Sequence, residues 1–139
     1  MKRKLFLALI YLIIISSHAF ASHSAGGEIT YKYVGNNKYD VTFKYYRDCR
    51  GGASNNLNFY LLCPATSASV NLATTLTGIR DISSTCATGV KCQPSNTSIS
   101  SGSPIFEEHT YATTLDFNGA LSSFKNCCTL KLGMGECCR

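Results

Sequence analysis

Two pairs of adjacent cysteines stand near the end of the chain, Cys127-Cys128 and Cys137-Cys138. Four thiolates can hold a zinc ion in a tetrahedral site. Structural zinc sites, however, typically use cysteines separated by about two to four intervening residues, whereas adjacent residues of a strand point to opposite faces of the sheet. We therefore predict no metal site here, and we expect the two cysteines of each pair to bridge to different partners.

The N-terminus indicates which compartment these thiols enter, and the compartment determines whether they can form disulfides. Lys2, Arg3 and Lys4 precede an apolar run from Leu5 to Ile15, and the segment ends in the small-residue stretch Ala19-Phe20-Ala21. This layout is typical of a secretory signal peptide over residues 1–21. The apolar run would rise only about 16 Å as a helix, too short for a hydrocarbon core of about 30 Å. We predict cleavage after Ala21, no membrane span thereafter, and an extracellular, cell-surface location.

All eight cysteines follow this signal segment. An even number of cysteines in an exported chain indicates a disulfide framework rather than free thiols, although the pairing stays open from sequence. The disulfide candidates are Cys49, Cys63, Cys86, Cys92, Cys127, Cys128, Cys137 and Cys138.

The charge of the chain gives no sign of a nucleic-acid partner. The net charge of +5 includes the three cations of the signal segment, and their removal leaves 10 basic residues against 8 acidic ones. These charges are scattered and form no basic stripe, so we predict no nucleic-acid binding.

Catalytic residues are not evident either. After the signal segment the histidines are His23 and His109, and neither belongs to a recognisable catalytic motif. Glu107 and Glu108 are neighbours, so on a strand they diverge and make a poor acid–base pair. We predict no catalytic residue, no cofactor and no enzymatic activity. Arg47 and Asp48 could form an ion pair that fixes the following loop, or Asp48 could ligate calcium. We favour a structural role in the loop, because a single Asp is a weak signal for calcium.

Alternating apolar and polar residues define the elements that position these groups. In EITYKYVGNNKYDVTFKYYRDC, residues 28–49, two strands flank a turn at Gly35-Asn36-Asn37, and the second buries Tyr39, Val41, Phe43 and Tyr45. Further strands are expected at Leu57–Cys63, within Ser69–Ile79, at Ile105–Phe117 and in Phe124–Leu132, where Cys127 anchors the last one. A turn at Gly133-Met134-Gly135 would precede a strand from Cys137. Asp81–Pro104 is predicted to be a long loop pinned by Cys86 and Cys92.

Several short strands joined by turn signals predict an all-β, immunoglobulin-like antiparallel sandwich over residues 22–139. Seven tyrosines lie on predicted strands: Tyr31, Tyr33, Tyr39, Tyr45, Tyr46, Tyr60 and Tyr111. Exposed tyrosines can bind a protein or carbohydrate partner. We favour the other interpretation, in which they fill or rim a small core with their hydroxyls at the surface.

A combination of motifs resembles one family. His23 to Tyr31 reads H-x-x-G-G-E-I-x-Y, and G-N-N-x-Y, Y-R-D-C, H-T-Y-x-x-x-L-x-F and a terminal G-x-G-E-C-C-R follow. Together they resemble the N-terminal region of large secreted, gliding-motility-associated surface proteins of Bacteroidetes, which carry PKD or other immunoglobulin-like modules and a type IX sorting domain. The resemblance implies a non-enzymatic extracellular structural or adhesion module.

Two further expectations concern the extent of the chain. Members of that family continue beyond the C-C-R motif, so we expect this chain to be a fragment whose sandwich is incomplete at the C-terminus. The alternative is a stand-alone, small, secreted disulfide-rich effector, such as a toxin or an inhibitor.

Overall fold

The computed structural model describes residues 24–49, 57–83, 92 and 105–136. Strands make up 67% of these residues, and the helical content described is one 3-10 turn at Ser122–Phe124. The seven strands are β1 Ser24–Gly35, β2 Lys38–Asp48, β3 Leu57–Cys63, β4 Ala68–Asn71, β5 Thr75–Asp81, β6 Phe106–Asp116 and β7 Lys131–Glu136. They confirm the prediction of an all-β protein.

A tight hairpin joins β1 and β2. Asn36 and Asn37 take left-handed backbone conformations, with φ of 50° and 53°. Asparagine tolerates this region better than most residues, and two such residues in succession give the turn a twist that matches its flanking strands. The predicted turn is therefore confirmed.

The strands form two antiparallel sheets that pack face to face. The four-stranded sheet has the order β1-β2-β6-β5, and the three-stranded sheet has the order β4-β3-β7. Alternate residues of β2 point between the sheets: Val41, Phe43 and Tyr45 are buried and Tyr39 is half-buried, as the alternation predicts.

Aromatic rings connect the two sheets at the centre of the core. The Phe59 ring of β3 lies 4.7 Å from that of Phe43 and 4.9 Å from that of Tyr111, measured between ring centroids. Tilted aromatic pairs at such distances stabilise a core beyond the area they bury. The covering sheet is thereby fixed over β2 and β6.

The strand order is that of the immunoglobulin fold. In that fold one sheet runs A-B-E-D, and the other carries C, F and G, with C′ added beside C in variable-type domains. The order β1-β2-β6-β5 matches A-B-E-D, and β4-β3-β7 matches C′-C-F. No described strand takes the place of G, beside β7.

The end of the chain differs from the prediction. Ser122–Phe124 is a 3-10 turn, and β7 begins at Lys131 and runs straight through Gly133 to Glu136. The predicted strand in Phe124–Leu132 is therefore wrong except at Lys131 and Leu132, and the predicted turn at Gly133-Met134-Gly135 is wrong. Glycines fit this strand because the ring of Tyr60, on the neighbouring β3, occupies the space that a Cβ of Gly133 would need.

Other predicted elements were placed more accurately. β3 has the predicted bounds and β6 lies within Ile105–Phe117. The Ser69–Ile79 region divides into β4 and β5, which belong to different sheets. The predicted loop Asp81–Pro104 lies mostly outside the described residues, as does the strand expected from Cys137.

Candidate binding surface

Two disulfides join segments that are far apart in sequence. Cys49, just after β2, pairs with Cys92, and Cys63, the last residue of β3, pairs with Cys127. Cys128 is exposed and forms no disulfide with any described cysteine. Within the described residues, the expectation that both Cys127 and Cys128 form bridges is therefore not met. Of the other disulfide candidates, Cys86, Cys137 and Cys138 lie outside the described residues.

One cluster has the composition of a metal site. The Sγ atoms of Cys49 and Cys92 and a carboxylate oxygen of Glu107 lie within 4.8 Å of one another. Because the two sulfurs are joined as a disulfide, they are not available as the thiolate ligands that a metal such as zinc requires. The described cluster is accounted for by the disulfide and by the ion pair of Glu107.

A buried polar group occupies the same end of the sandwich. Arg47 is 3% exposed, and its Nη1 lies 3.6 Å from Oε2 of Glu107, across the pairing of β2 with β6. The same oxygen lies 3.0 Å from Nε2 of His109, whose ring packs edge-on against Tyr45. The ion pair that the structure describes for Arg47 is with Glu107, on the neighbouring strand, rather than with the adjacent Asp48, since neighbours on a strand face opposite ways. Among the described residues, Arg47 Nε and Nη2 have no hydrogen-bond partner.

The two neighbouring carboxylates point away from each other, as predicted. Glu107 faces the interior, whereas Glu108 lies on the outer face of the sheet. There Oε2 of Glu108 lies 3.6 Å from Nζ of Lys44 and 3.2 Å from Nη2 of Arg80. Both carboxylates are thus engaged in ion pairs on opposite faces, an arrangement unsuited to a shared acid–base step.

An apolar groove opens between the sheets at the hairpin end. Its cavity volume is about 640 Å³, which falls within the size range of ligand sites. Side chains from both sheets and from the segment before β7 line it, among them Ile29, Val41, Leu115, Leu130 and Leu132. Because apolar side chains dominate its lining, we take this groove as the candidate site.

Two exposed tyrosines stand on the β1 side of this groove. Tyr31 lines it and is 71% exposed, and Tyr33 is 56% exposed. Both rings contact Tyr39, at centroid distances of 6.4 and 5.1 Å, and Tyr39 packs edge-on against Phe117 of the core. Tyr39 thereby connects the two exposed rings to the core.

The predicted core role holds for some of the tyrosines only. All seven lie on strands as predicted, and Tyr45 is buried. Burial also raises the pKa of Tyr111 above the ordinary value of 10.0. Tyr31 and Tyr33, by contrast, expose their rings as well as their hydroxyls, because the three-stranded sheet does not extend over them.

The groove has a closed end and an open end. At the closed end β1 and β7 approach each other so closely that a Cβ on Gly27 would collide with the Met134 side chain and the backbone oxygen of Lys44. At the open end the lining includes Tyr31 and Leu130. Glycine at position 27 thus permits the sheets to meet at one end while they part at the other.

Hydrogen bonds between loops hold the open end in place. Asn118 donates from Nδ2 to the backbone oxygen of Asn36, at 2.7 Å, and its Oδ1 accepts bonds from Asn37 and from Nζ of Lys125, each at 3.1 Å. The hairpin turn is thereby tied to the segment after β6. Of the described residues that line the groove, Lys125 is the charged one.

An ion pair reinforces this connection. Nζ of Lys38 lies 2.8 Å from Oδ2 of Asp116, and the Asn118 backbone N–H donates to Oδ1 of the same carboxylate. The hydrogen bond from Lys38 is the main cause that lowers the pKa of Asp116 below its ordinary value of 3.8. The carboxylate is therefore ionised over the physiological range.

No protein-family model, curated protein or solved structure matches this chain. The two disulfides indicate an oxidising environment. In the part of the chain that the structure describes, no helix has the length and apolar character needed to cross a membrane.

Sequence reasoning identified the strand that carries Tyr31 and Tyr33 but missed the groove. The available signal was the alternation of Ile29, Tyr31 and Tyr33 on β1, an edge strand whose inner face is as apolar as that of a central strand. Leu130 was predicted to lie on the last strand but precedes β7, and the other wall of the groove was not predicted.

Proposed function

We propose that this chain is a non-enzymatic extracellular module, of structural or adhesion type, in a secreted cell-surface protein. The observation that carries the proposal is the pair of exposed rings, Tyr31 and Tyr33, beside a groove lined by apolar side chains. Exposed apolar surface next to a concave site is typical of binding sites rather than of inert surface. The partner would be a protein or a carbohydrate at the cell surface.

Three further features support this proposal. The signal-like N-terminus and the two disulfides agree with export to an oxidising compartment. The motifs resemble those of secreted surface proteins of gliding bacteria. Tyrosine offers a large contact area with few rotatable bonds, which suits a recognition surface.

Export and binding can be tested separately. For export, the chain carries an epitope tag in its native host, and protease is added to intact and to lysed cells. We expect the tag to be digested on intact cells. Digestion after lysis alone would contradict a surface location.

For binding, beads coated with the purified chain are passed under flow over cells of the native host. The variant Tyr31→Ser/Tyr33→Ser should reduce bead retention about tenfold, as expected for aromatic hot spots. Leu76→Ser/Ile79→Ser is the matched control, because these side chains are also exposed on the inner face of the same sheet but on β5, at its opposite edge. Equal retention of all three chains would refute the proposed surface.

A further inference from the structure

An asparagine at the open end of the groove is followed directly by glycine. Asn118-Gly119 is the single Asn-Gly pair of the sequence, and both residues are exposed in the turn that follows β6. The backbone nitrogen of the next residue can attack an asparagine side chain, and glycine hinders this attack least because it has no Cβ. A Cβ at Gly119 would meet Oδ2 of Asp116 at 3.3 Å. The pair therefore combines a reactive sequence with an open approach.

Two hydrogen-bond donors polarise the side-chain carbonyl of Asn118. Its Oδ1 accepts from Nδ2 of Asn37 and from Nζ of Lys125, each at 3.1 Å. Attack on Cγ moves negative charge onto this oxygen, and donors already aimed at it stabilise that charge. A cationic donor contributes more than a neutral one. The surroundings of Asn118 therefore favour attack at Cγ.

The attacking and the leaving nitrogen are held differently. The N–H of Gly119 donates to the backbone oxygen of Asp116 at 3.3 Å, which is longer than the usual range for such a bond. The side-chain Nδ2 of Asn118 donates to the backbone oxygen of Asn36 at 2.7 Å. The nucleophile is thus weakly held, and departure of Nδ2 removes a short bond between the turn after β6 and the hairpin turn.

We propose that Asn118 is a self-modification site, where deamidation loosens the attachment of the β1–β2 hairpin turn to the segment after β6. The Gly119 nitrogen loses its proton to hydroxide and forms a bond to Cγ. The bond from Cγ to Nδ2 breaks as that nitrogen takes a proton from water and leaves as ammonia. Water then opens the resulting succinimide ring, at Cγ to give aspartate or at the backbone carbonyl to give isoaspartate. The net reaction consumes a water molecule and releases ammonia.

Either product changes the open end of the groove. A carboxylate at this position has no N–H to donate, so one of its oxygens would face the backbone oxygen of Asn36 as acceptor against acceptor. Its negative charge lies beside Lys125 and offsets the positive charge that this side chain brings to the groove lining. Isoaspartate also adds a backbone atom to the tight turn between the buried Phe117 and Leu121. The reaction therefore alters both the charge and the shape of this end.

Peptide mapping by mass spectrometry tests the reaction itself. The purified, disulfide-bonded chain is kept in mildly alkaline buffer, and the mass increase from amide to carboxyl is followed over weeks. The internal references are Asn36, Asn37 and Asn126, each followed by a residue with a side chain. We expect Asn118 to convert about tenfold faster than any of them. Conversion of Asn118 no faster than the references would overturn the proposal.

Variants test the roles of the neighbouring residues. Gly119→Ala should slow the conversion about tenfold, because the added Cβ hinders the attacking nitrogen. Lys125→Gln should slow it about threefold, because a neutral donor replaces a cationic one. Lys131→Gln is the matched control, with the same substitution at an exposed residue of β7 outside the groove lining, and the rate should stay unchanged. Faster conversion in Lys125→Gln would show that the lysine restrains the amide, contrary to its assigned role.

Amide hydrogen exchange followed by NMR tests the structural consequence. The N–H of Phe117 donates to the backbone oxygen of Asn37 at 3.1 Å and so reports on the attachment of the hairpin turn. Asn118→Asp reproduces one product and should speed this exchange about tenfold, through the lost hydrogen bond and the facing acceptors. Asn126→Asp is the matched control at an exposed residue, and exchange should stay within about twofold. Equal exchange in Asn118→Asp and the wild type would overturn the loosening of the turn.

Discussion

Removal of the Cys63–Cys127 disulfide should destabilise the protein strongly. The bridge closes a loop with a sequence separation of 64 residues. The bridge lowers the conformational entropy of the unfolded chain. Its removal should therefore reduce the free energy of unfolding by about 4 kcal/mol at 25 °C. For a domain of this size, that loss lowers Tm by roughly 15 °C.

The double variant Cys63→Ala/Cys127→Ala is suited to this measurement, because it leaves neither thiol free to pair elsewhere. Urea unfolding can be followed by far-UV circular dichroism and by tyrosine fluorescence, since the chain has eight tyrosines and no tryptophan. We also expect a larger m-value, because an unfolded chain without the bridge exposes more surface.

The adjacent cysteine provides a matched control. Cys128 is exposed and forms no described disulfide, so Cys128→Ala should change the unfolding free energy by less than about 0.5 kcal/mol. Two results would refute the reasoning. One is a loss below about 1 kcal/mol in the double variant, since loop entropy alone should exceed it. The other is an equal loss in Cys128→Ala, which would show that the wrong member of the pair has been assigned to the bridge.

Three further predictions concern single side chains. Gly133→Val should destabilise the protein by about 2 kcal/mol, because the added side chain displaces the tyrosine ring that covers β7; urea unfolding measures the loss. Glu107→Gln should cost about 3 kcal/mol by leaving the buried guanidinium of Arg47 without its counter-ion, and the double variant Arg47→Met/Glu107→Gln should recover part of that loss. Asp116→Asn should lower Tm at pH 7 through loss of the ion pair with Lys38, and thermal melts should show this difference from the wild type shrink as pH falls below 3.8.

The sign of the last prediction follows from the direction of the pKa shift. The pKa of Asp116 is lower in the folded state than its ordinary value of 3.8. The stabilisation is therefore complete above that ordinary value and is lost as pH falls through the lower, folded-state value. A Tm difference that grew toward acid pH would contradict this assignment.

Unchanged stability in Gly133→Val would show that the contact of this position with the tyrosine ring is misassigned. A double variant Arg47→Met/Glu107→Gln less stable than Glu107→Gln would show the same for the ion pair of Arg47 with Glu107.

Some features of the fold could be predicted from local sequence alone. Alternation fixed the inward face of β2, from Tyr39 to Tyr45, because a strand repeats every two residues whatever it packs against. The hairpin turn followed from Asn36 and Asn37, which tolerate left-handed backbone conformations. The divergence of Glu107 and Glu108 followed from the same two-residue repeat.

Other features depended on contacts between residues distant in sequence. The pairing of Cys63 with Cys127 rather than with Cys128 depends on how the segment before β7 meets the end of β3. The last strand was misplaced because Gly133 reads locally as a turn residue, whereas the tyrosine ring of the neighbouring strand makes glycine suitable there.

By itself, the sequence determined that the chain forms antiparallel strands with a defined inner face, and it predicted a disulfide framework. The tertiary structure decided which parts of that inner face are covered. A three-stranded sheet packs on a four-stranded one, so Phe43 is fully buried whereas Tyr31, on the same face, remains 71% exposed. The alternation of a strand specifies the direction of a side chain, but its burial depends on how far the opposite sheet extends, and long-range pairing sets that extent.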